Sequence, residues 1–191
     1  MNATPKGQGQ ASYTRIARTE IVDAFLREIQ RLYVACDSTP WIVPFNGDNT
    51  SCAVIVLMWR ALLSLPREQR KRHIYLYCHG EATQDDSPAA RIPLVLADVA
   101  VEQGIPLQVI SKGPSHAVAP ELQEFVADFV ATRGKATYFD CGNGSRGSYI
   151  APPISCKSDR PILLELHPSD SQFILDCYTP PWIPPEPQDD F

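Results

Sequence analysis

The sequence predicts an α/β fold in which helices flank a mostly parallel sheet of five strands. The first observation is a series of short apolar segments rich in aromatic and branched residues, which are typical of buried strands. The second is that segments of roughly 10–20 residues with helical character separate these strands. Parallel strands need crossovers of this kind, so the pattern favours βαβ units with helices on both faces of the sheet.

Length and composition predict one domain with two tails. A chain of 191 residues with 44% hydrophobic content is long enough for one substantial core. Residues 1–13 are polar and predict a flexible N-terminal arm, and residues 14–178 are expected to form the α/β domain. Residues 179–191 are Pro-rich and acidic, so they predict a tail that is extended or covers a sheet edge.

The first elements are predicted from apolar spacing. Residues 16–35 carry apolar side chains at helical intervals and predict an amphipathic helix. The apolar run WIVPF at residues 41–45 predicts a strand buried on both faces. Residues 51–65 are apolar nearly all round, which predicts a helix packed against the sheet with Pro66 as its stop.

The later elements continue the alternation of strand and helix. The charged stretch REQRKR at residues 67–72 is expected on the surface. Near the other end of the chain, His167 and Pro168 predict a turn. Strands are predicted at residues 73–78, 105–110, 135–141 and 160–166, and helices at residues 89–104 and 115–134.

Charge and cysteine usage exclude several classes of function. Seventeen Lys and Arg against 22 Asp and Glu give a net charge of -5, which argues against strong direct binding of nucleic acid. The six cysteines lack the spacing of a zinc or iron–sulfur site, so no metal is predicted. The absence of a secretory signal or a membrane-spanning apolar run favours a cytoplasmic protein with reduced thiols.

Candidate sites are the loops that follow the predicted strands, because open parallel sheets bind ligands there. These loops are residues 46–52, 78–87, 111–116 and 141–147. The first, NGDNTSC, is named the elbow (residues 46–52). It joins a strand to a helix N-terminus and predicts an anion site formed by backbone N–H groups and the side chains of Asn46, Asn49, Thr50 and Ser51. It matches neither the Walker loop nor the dinucleotide fingerprint, and the alternative is a helix N-cap made by Asn49, Thr50 or Ser51.

Two cysteines are candidates for catalysis. Cys141 ends a predicted strand and enters a Gly-rich loop with Arg146, which is either an anion-binding loop or an ordinary turn. Cys78 precedes His79, and with Glu81 these residues suggest a thiolate–imidazole pair or a metal ligand set. The alternative is a buried Cys beside a loop His, because adjacent residues of a strand point to opposite faces.

A set of short motifs lies between residues 32 and 70, namely Leu32-Tyr33, Pro40-Trp41, the elbow, Trp59 and the run from Leu65 to Arg70, LPREQR. With these motifs the chain resembles the opening of the PP-loop ATP pyrophosphatase family, which includes phosphoadenosine phosphosulfate (PAPS) reductases. The resemblance is closest to the DndC-type sulfurtransferase of DNA phosphorothioation, and it covers residues 21–77 well and extends weakly to about residue 110. The resemblance implies a three-layer Rossmann-like (adenine nucleotide alpha hydrolase-like) fold and ATP or another adenine nucleotide as ligand.

The family's loop reads Ser-Gly-Gly-Lys-Asp-Ser-Thr, and the elbow departs from it at most positions. In that order the family residues fall on Asn46, Gly47, Asp48, Asn49, Thr50, Ser51 and Cys52. Asp48 would set a carboxylate where the phosphate approaches, and Asn49 lacks the cation that would offset it. Thr50 replaces the family's acidic residue. The resemblance therefore implies a catalytically degenerate PP-loop domain.

Three functions are consistent with the sequence. The first is a non-catalytic partner or regulatory subunit in DNA phosphorothioation or a related bacterial defence system, with a protein partner and a possible homo-oligomer. The second is an enzyme of altered chemistry, in which Asn46, Asp48, Ser51 and Cys141 serve a different nucleotide or a metal. The third is a nucleotide-sensing or protein-interaction module that uses the Pro-rich tail and REQRKR as contact surfaces.

Overall fold

The fold is α/β, as the sequence predicts, and strands alternate with helices along the chain. A computed structural model of the protein describes residues 8–35, 39–83, 87–111, 118–133, 136–140, 162–163 and 168–183. Its helices and strands are α1 Gln8–Tyr33, β1 Trp41–Phe45, α2 Asn49–Leu63, β2 Ile74–Cys78, α3 Pro88–Gln103, β3 Leu107–Ser111, α4 Val118–Arg133, β4 Thr137–Asp140, β5 Ile162–Leu163 and α5 Pro168–Cys177. Short 3-10 turns lie at Arg67–Gln69 and Gly80–Thr83.

The sheet is open and parallel, in the order β3-β2-β1-β4-β5. Its continuous part consists of β3, β2 and β1, which pair over five residues each, with Trp41 opposite Ile74 and Ile74 opposite Leu107. β4 adds only two paired residues beside β1, and β5 adds two beside β4. The chain runs outward from β1 to β3 and then returns to the other side of β1. The strand order therefore reverses between β1 and β4, and the elbow lies at that reversal.

Alternate residues of the strands pack into two separate cores. Trp41, Val43 and Phe45 of β1 face a large cluster that also contains buried residues of α1, α2, α3 and α5. Ile42 of β1 faces the opposite way, where Phe129 of α4 belongs to a second, aromatic cluster. Helices thus cover both faces of the sheet, as expected for strands buried on both sides.

Helix α2 is the centre of the larger core. Its residues from Thr50 to Trp59 are all buried, and it packs against α1 on one side and α5 on another. A helix that is apolar nearly all round needs neighbours on several sides. The helix predicted at residues 51–65 from this apolar pattern coincides with α2 to within two residues at each end.

Arg72 corrects the expectation that the stretch REQRKR lies on the surface. Its side chain is only 5% exposed. The guanidinium donates to the carbonyl oxygens of Tyr33 (2.9 Å), Ala35 (2.9 Å) and Thr39 (2.7 Å) and stacks over the Trp41 ring. The last carbonyls of a helix lack intrahelical partners and carry partial negative charge, so Arg72 completes the C-terminal end of α1.

Arg70 has the same role at two other helix ends. Its guanidinium donates to the carbonyl oxygens of Leu63 (3.0 Å), the last residue of α2, and of Leu65 (2.9 Å) just beyond it. It also donates to the carbonyl oxygen of Gln103 (2.6 Å) at the end of α3. Arg67, Glu68, Gln69 and Lys71 of the same stretch are exposed. The stretch therefore mixes surface residues with two arginines that join three helix ends.

The helix predicted at residues 16–35 begins earlier, at Gln8, so residues 8–13, predicted as part of a flexible arm, are helical. Helix elongation adds one hydrogen bond for each residue fixed, so α1 extends past the apolar segment that predicted it. A further expectation was wrong at residue 168. Pro168 begins helix α5 instead of a turn, because proline is well suited to the first helical position.

Several predicted segments lie wholly or partly outside the described residues. Of the strand predicted at residues 160–166, the structure describes Ile162–Leu163. Of the tail, it describes a turn at residues 180–183, in which Trp182 packs against the larger core. None of the helices in the described part of the chain is long and apolar enough to cross a membrane.

Candidate functional site

The elbow turns sharply between β1 and α2, and Gly47 makes the turn possible. Gly47 has φ +88°, a left-handed conformation that residues with a Cβ atom adopt at a cost. A Cβ atom at this position would also overlap the side chain of Ala89, near the start of α3. Gly47 is therefore required both by its backbone conformation and by the close approach of α3.

Asp48 is the N-cap of α2. Its backbone is extended (φ -73°, ψ 167°), and its Oδ1 accepts a hydrogen bond of 2.7 Å from the Ser51 N–H. Its carbonyl accepts the first helical bond, 2.9 Å from the Cys52 N–H. The predicted caps Asn49, Thr50 and Ser51 are wrong because α2 begins earlier than its apolar pattern, and aspartate is a preferred N-cap residue.

Asn46, Gly47, Asp48 and Ser51 of the elbow are also hydrogen-bonded to one another. Asn46 Oδ1 accepts from the Asp48 N–H (3.0 Å) and from Ser51 Oγ (2.8 Å), while Asn46 Nδ2 donates to Asp48 Oδ2 (3.0 Å). The Gly47 N–H donates to Ser51 Oγ (3.2 Å). Three of the N–H groups that could point at an anion, those of Gly47, Asp48 and Ser51, are therefore already bonded to side chains.

The two positions that carry Lys and Asp in the resembling family are directed toward α5. Asn49 Nδ2 donates to Gln172 Oε1 over 3.2 Å. Thr50 is 8% exposed, and its Oγ1 accepts from Ser171 Oγ over 3.5 Å. Neither contact involves a charged group. The negative charge of Asp48 at the helix N-terminus therefore has no side-chain cation from Asn49 or Thr50 beside it.

His79 lies next to the elbow at the end of β2. Its backbone N–H donates to the Phe45 carbonyl over 2.9 Å, which joins the ends of β1 and β2. Burial lowers the pKa of the His79 imidazole, and the charge of Asp48 offsets only part of this effect. His79 is therefore neutral near pH 7 and brings no positive charge to the elbow.

The cysteines near the site are poor nucleophiles. Burial raises the pKa of Cys52 to about 11, with a smaller contribution from the Asp48 charge, and its Sγ lies 3.6 Å from the Gly47 carbonyl oxygen. Burial raises the pKa of Cys78 to about 12, and Cys78 belongs to the larger core. Because the thiolate is the reactive form, neither residue is ready for nucleophilic chemistry at neutral pH.

The structure brings some of the predicted site residues together and leaves others undescribed. Asn46, Gly47, Asp48 and Ser51 form one hydrogen-bonded group, whereas Cys141 and Arg146 lie outside the described residues. Within the described ranges, no three His, Cys, Asp or Glu side chains are grouped so as to hold a metal ion.

Sequence reasoning missed the part that α5 takes in the site. Ser171 and Gln172 contact Thr50 and Asn49 across more than a hundred residues of sequence. The local signal for α5 was the segment PSDSQF, in which a proline precedes small polar and acidic residues, as at many helix starts.

Comparison of the chain with protein-family models, with curated proteins and with solved structures gives no match.

Proposed function

We propose that this chain is a catalytically degenerate PP-loop-like domain that acts as a non-catalytic partner or regulatory subunit. The proposed setting is DNA phosphorothioation or a related bacterial defence system. Two separate observations support it. The segment around the elbow resembles the PAPS reductase-like scaffold, and the strand order reverses beside the elbow, as in three-layer Rossmann-like folds that bind nucleotides at that point.

The observation that carries the proposal is the position of the Asp48 carboxylate. A helix N-terminus attracts anions through its free N–H groups and its dipole. Here the carboxylate of Asp48 already accepts the Ser51 N–H at 2.7 Å. A phosphate in the same place would have to displace this bond and approach a negative charge. The hydrogen bonds of the elbow are thus better explained by a helix cap than by a binding site for pyrophosphate.

The role of partner follows from the loss of catalytic groups on a retained scaffold. Asn49 and Thr50 contact α5 where the resembling family carries a charged pair. The net charge of -5 opposes direct binding to DNA, so any action on DNA is assigned to a protein partner. Co-purification of the tagged chain with DNA-modification proteins tests this part.

The catalytic part is tested by measuring pyrophosphate release from ATP with Mg²⁺ present. We expect no release above that of a Ser51→Ala variant. Release that disappears on Ser51→Ala would overturn the degenerate assignment. A thermal-shift screen with ATP, AMP and PAPS accompanies the assay, since a ligand of the folded state raises the unfolding temperature.

A variant that restores the loop sharpens the same test. Asp48→Gly with Asn49→Lys removes the carboxylate and adds the cation, whereas Thr50 is left unchanged because it is buried against Ser171. We expect ATP to raise the unfolding temperature of the double variant but not that of the natural chain. Asp48→Gly alone is the matched control, because it removes the charge without adding a cation.

A nucleotide-sensing module is the second candidate function. It is favoured by the N–H groups of Asn49 and Thr50, which none of the hydrogen bonds among the described residues uses. These are the first two N–H groups of α2, and such groups lack helical partners. Stabilisation of the natural chain by an adenine nucleotide without cleavage would favour this candidate over the first.

A further inference from the structure

The outer face of α3 carries exposed apolar side chains on an otherwise well-packed helix. Leu94 is 67% exposed and Val101 is 78% exposed, the two highest values among the large hydrophobic residues that the structure describes as exposed. On the opposite side of the same helix, Leu96 and Ala100 are fully buried in the larger core. The two most exposed apolar side chains of α3 therefore lie on a face that points away from the larger core.

The apolar residues of this face follow the spacing of a helix–helix seam. Ala90, Leu94, Ala97 and Val101 succeed one another at intervals of four, three and four residues. This spacing is that of the a and d positions of a heptad, which keep one stripe of a helix against a neighbouring helix. Ala90 and Ala97 are partly exposed and alternate with the two large residues. The four residues are named the α3 stripe.

We propose that the α3 stripe binds the same stripe of a second copy of this chain, with the two helices antiparallel. The midpoint of the stripe lies between Val95 and Leu96. A two-fold axis there sets Leu94 against Ala97 of the second copy, and Ala90 against Val101 of the second copy. Each large side chain then meets a small one, as close packing requires. A parallel pair would set alanine against alanine and leave gaps.

The charges beside the stripe support the same orientation. Arg91 and Asp98 are both exposed, lie seven residues apart and occupy equivalent positions on one flank of the stripe. In antiparallel helix pairs these flanking positions meet their own counterparts. Arg91 then faces Asp98 of the second copy, and the two-fold axis repeats the pair. The face is therefore complementary in charge to itself.

The size of the stripe sets the strength of the expected dimer. From Ala90 to Val101 the helix rises by roughly 16 Å, which is about three turns. A contact of this length falls in the class of small interfaces, below about 1,200 Å² of total buried surface. We therefore expect a reversible dimer whose population rises with protein concentration. This inference uses only α3 and is independent of the function proposed for the elbow.

The first test is sedimentation velocity of the full chain over a series of concentrations. The natural chain is expected to shift from monomer toward dimer as the concentration rises. Leu94→Glu sets two carboxylates, one from each copy, near the centre of the contact between the two α3 stripes. It should raise the dissociation constant at least roughly a hundredfold. Ile21→Glu is the matched control, since Ile21 is 49% exposed on α1 and should leave the dimer intact.

The second test exchanges the flanking charges. Arg91→Glu and Asp98→Arg each set like charges against one another and should raise the dissociation constant roughly tenfold. A mixture of the two single variants should form a heterodimer as strong as the natural dimer, because both charge pairs are then opposite. The double variant Arg91→Glu with Asp98→Arg should restore the homodimer for the same reason.

Three results would overturn the proposal. A natural chain that stays monomeric at every concentration leaves the α3 stripe to a different protein. A dimer that Leu94→Glu does not weaken has its interface elsewhere. Failure of the mixed variants to associate would contradict the antiparallel arrangement. Unfolding temperatures of all variants close to that of the natural chain show that the fold is retained, since every substituted side chain is exposed.

Discussion

Charged side chains complete the helix termini at both ends of the sheet, and the charge is positive at one end and negative at the other. At the ends where the strands begin, Arg72 and Arg70 donate to the carbonyl oxygens that end α1, α2 and α3. At the end where the strands finish, the Asp48 carboxylate accepts from the Ser51 N–H in the first turn of α2. In each case the protein supplies from its own side chains the charge that a helix end attracts.

The difference between the ends lies in burial. Arg72 is 5% exposed and holds three carbonyls that belong to α1 and the segment after it, whereas Asp48 is exposed and holds its own helix. A buried charge that loses its partners costs far more than an exposed cap that is removed. The first end is therefore a structural clamp made by buried arginine, and the second is a local cap at the edge where open parallel sheets bind ligands.

The largest effect is expected at the clamp. Arg72→Met removes three charge-assisted hydrogen bonds and should lower the free energy of unfolding by about 3 kcal/mol or more. Lys71→Met changes the exposed neighbour and should stay within about 0.5 kcal/mol. Urea unfolding measures both values. Equal losses for the two variants would contradict the contrast in burial.

The next effect is expected at the turn of the elbow. Gly47→Ala adds a Cβ atom that overlaps Ala89 and occupies a left-handed backbone, and should cost about 2–3 kcal/mol. Gly80→Ala is the control, since Gly80 also has positive φ (60°) but its Cβ atom would lie 3.7 Å from the nearest side-chain atom. Its cost should be about 1 kcal/mol. Adding Ala89→Gly to Gly47→Ala should recover the part due to overlap.

A smaller effect is expected at the cap itself. Asp48→Ala removes the acceptor for the Ser51 N–H and should lower the free energy of unfolding by about 1 kcal/mol. Asp48→Asn keeps an acceptor of the same size and should cost only about a few tenths of that, because asparagine is also a good N-cap. Chemical denaturation of the two variants separates the hydrogen bond from the charge. A larger loss for Asn than for Ala would contradict the assignment of Asp48 as a cap.

The smallest effects concern pH, and they differ in direction between the two ends. Burial lowers the pKa of His79 beside the elbow, so the unfolded state takes up a proton first as the pH falls below about 6.5, and stability decreases there. Burial raises the pKa of Tyr33 at the clamp to about 12, so stability decreases as the pH rises from about 10 toward that value. Unfolding midpoints across pH should show His79→Gln flattening only the acid side and Tyr33→Phe only the alkaline side.

Local sequence patterns predicted the elements whose burial is encoded residue by residue. The strand at residues 41–45 matches β1, and the apolar helix matches α2 to within two residues at each end. Both segments are apolar enough to be recognised without knowledge of their neighbours. Helix α5 was missed because its apolar residues are few and its stability depends on packing against α2.

The candidate site was located by sequence but not explained by it. The position of the elbow after β1 and the identity of its polar residues were predicted. The cap is a local contact between Asp48 and the Ser51 N–H, and it was missed because α2 begins earlier than its apolar pattern. The contacts of Asn49 and Thr50 with α5 join segments more than a hundred residues apart. Likewise, a run of charged residues cannot reveal that Arg72 is buried, because only the folded chain sets the C-terminal end of α1 beside it.

The sequence by itself determined the alternation of strands and helices, since hydrophobic period and burial are properties of short segments. It also determined that the elbow lacks the charged residues of the loop it resembles. Only the tertiary structure decided how the remaining polar groups pair, where the arginines lie, and which apolar residues of α3 stay exposed. The physical reason is that a hydrogen bond or a buried charge needs a partner in space, and distant segments supply it only after folding.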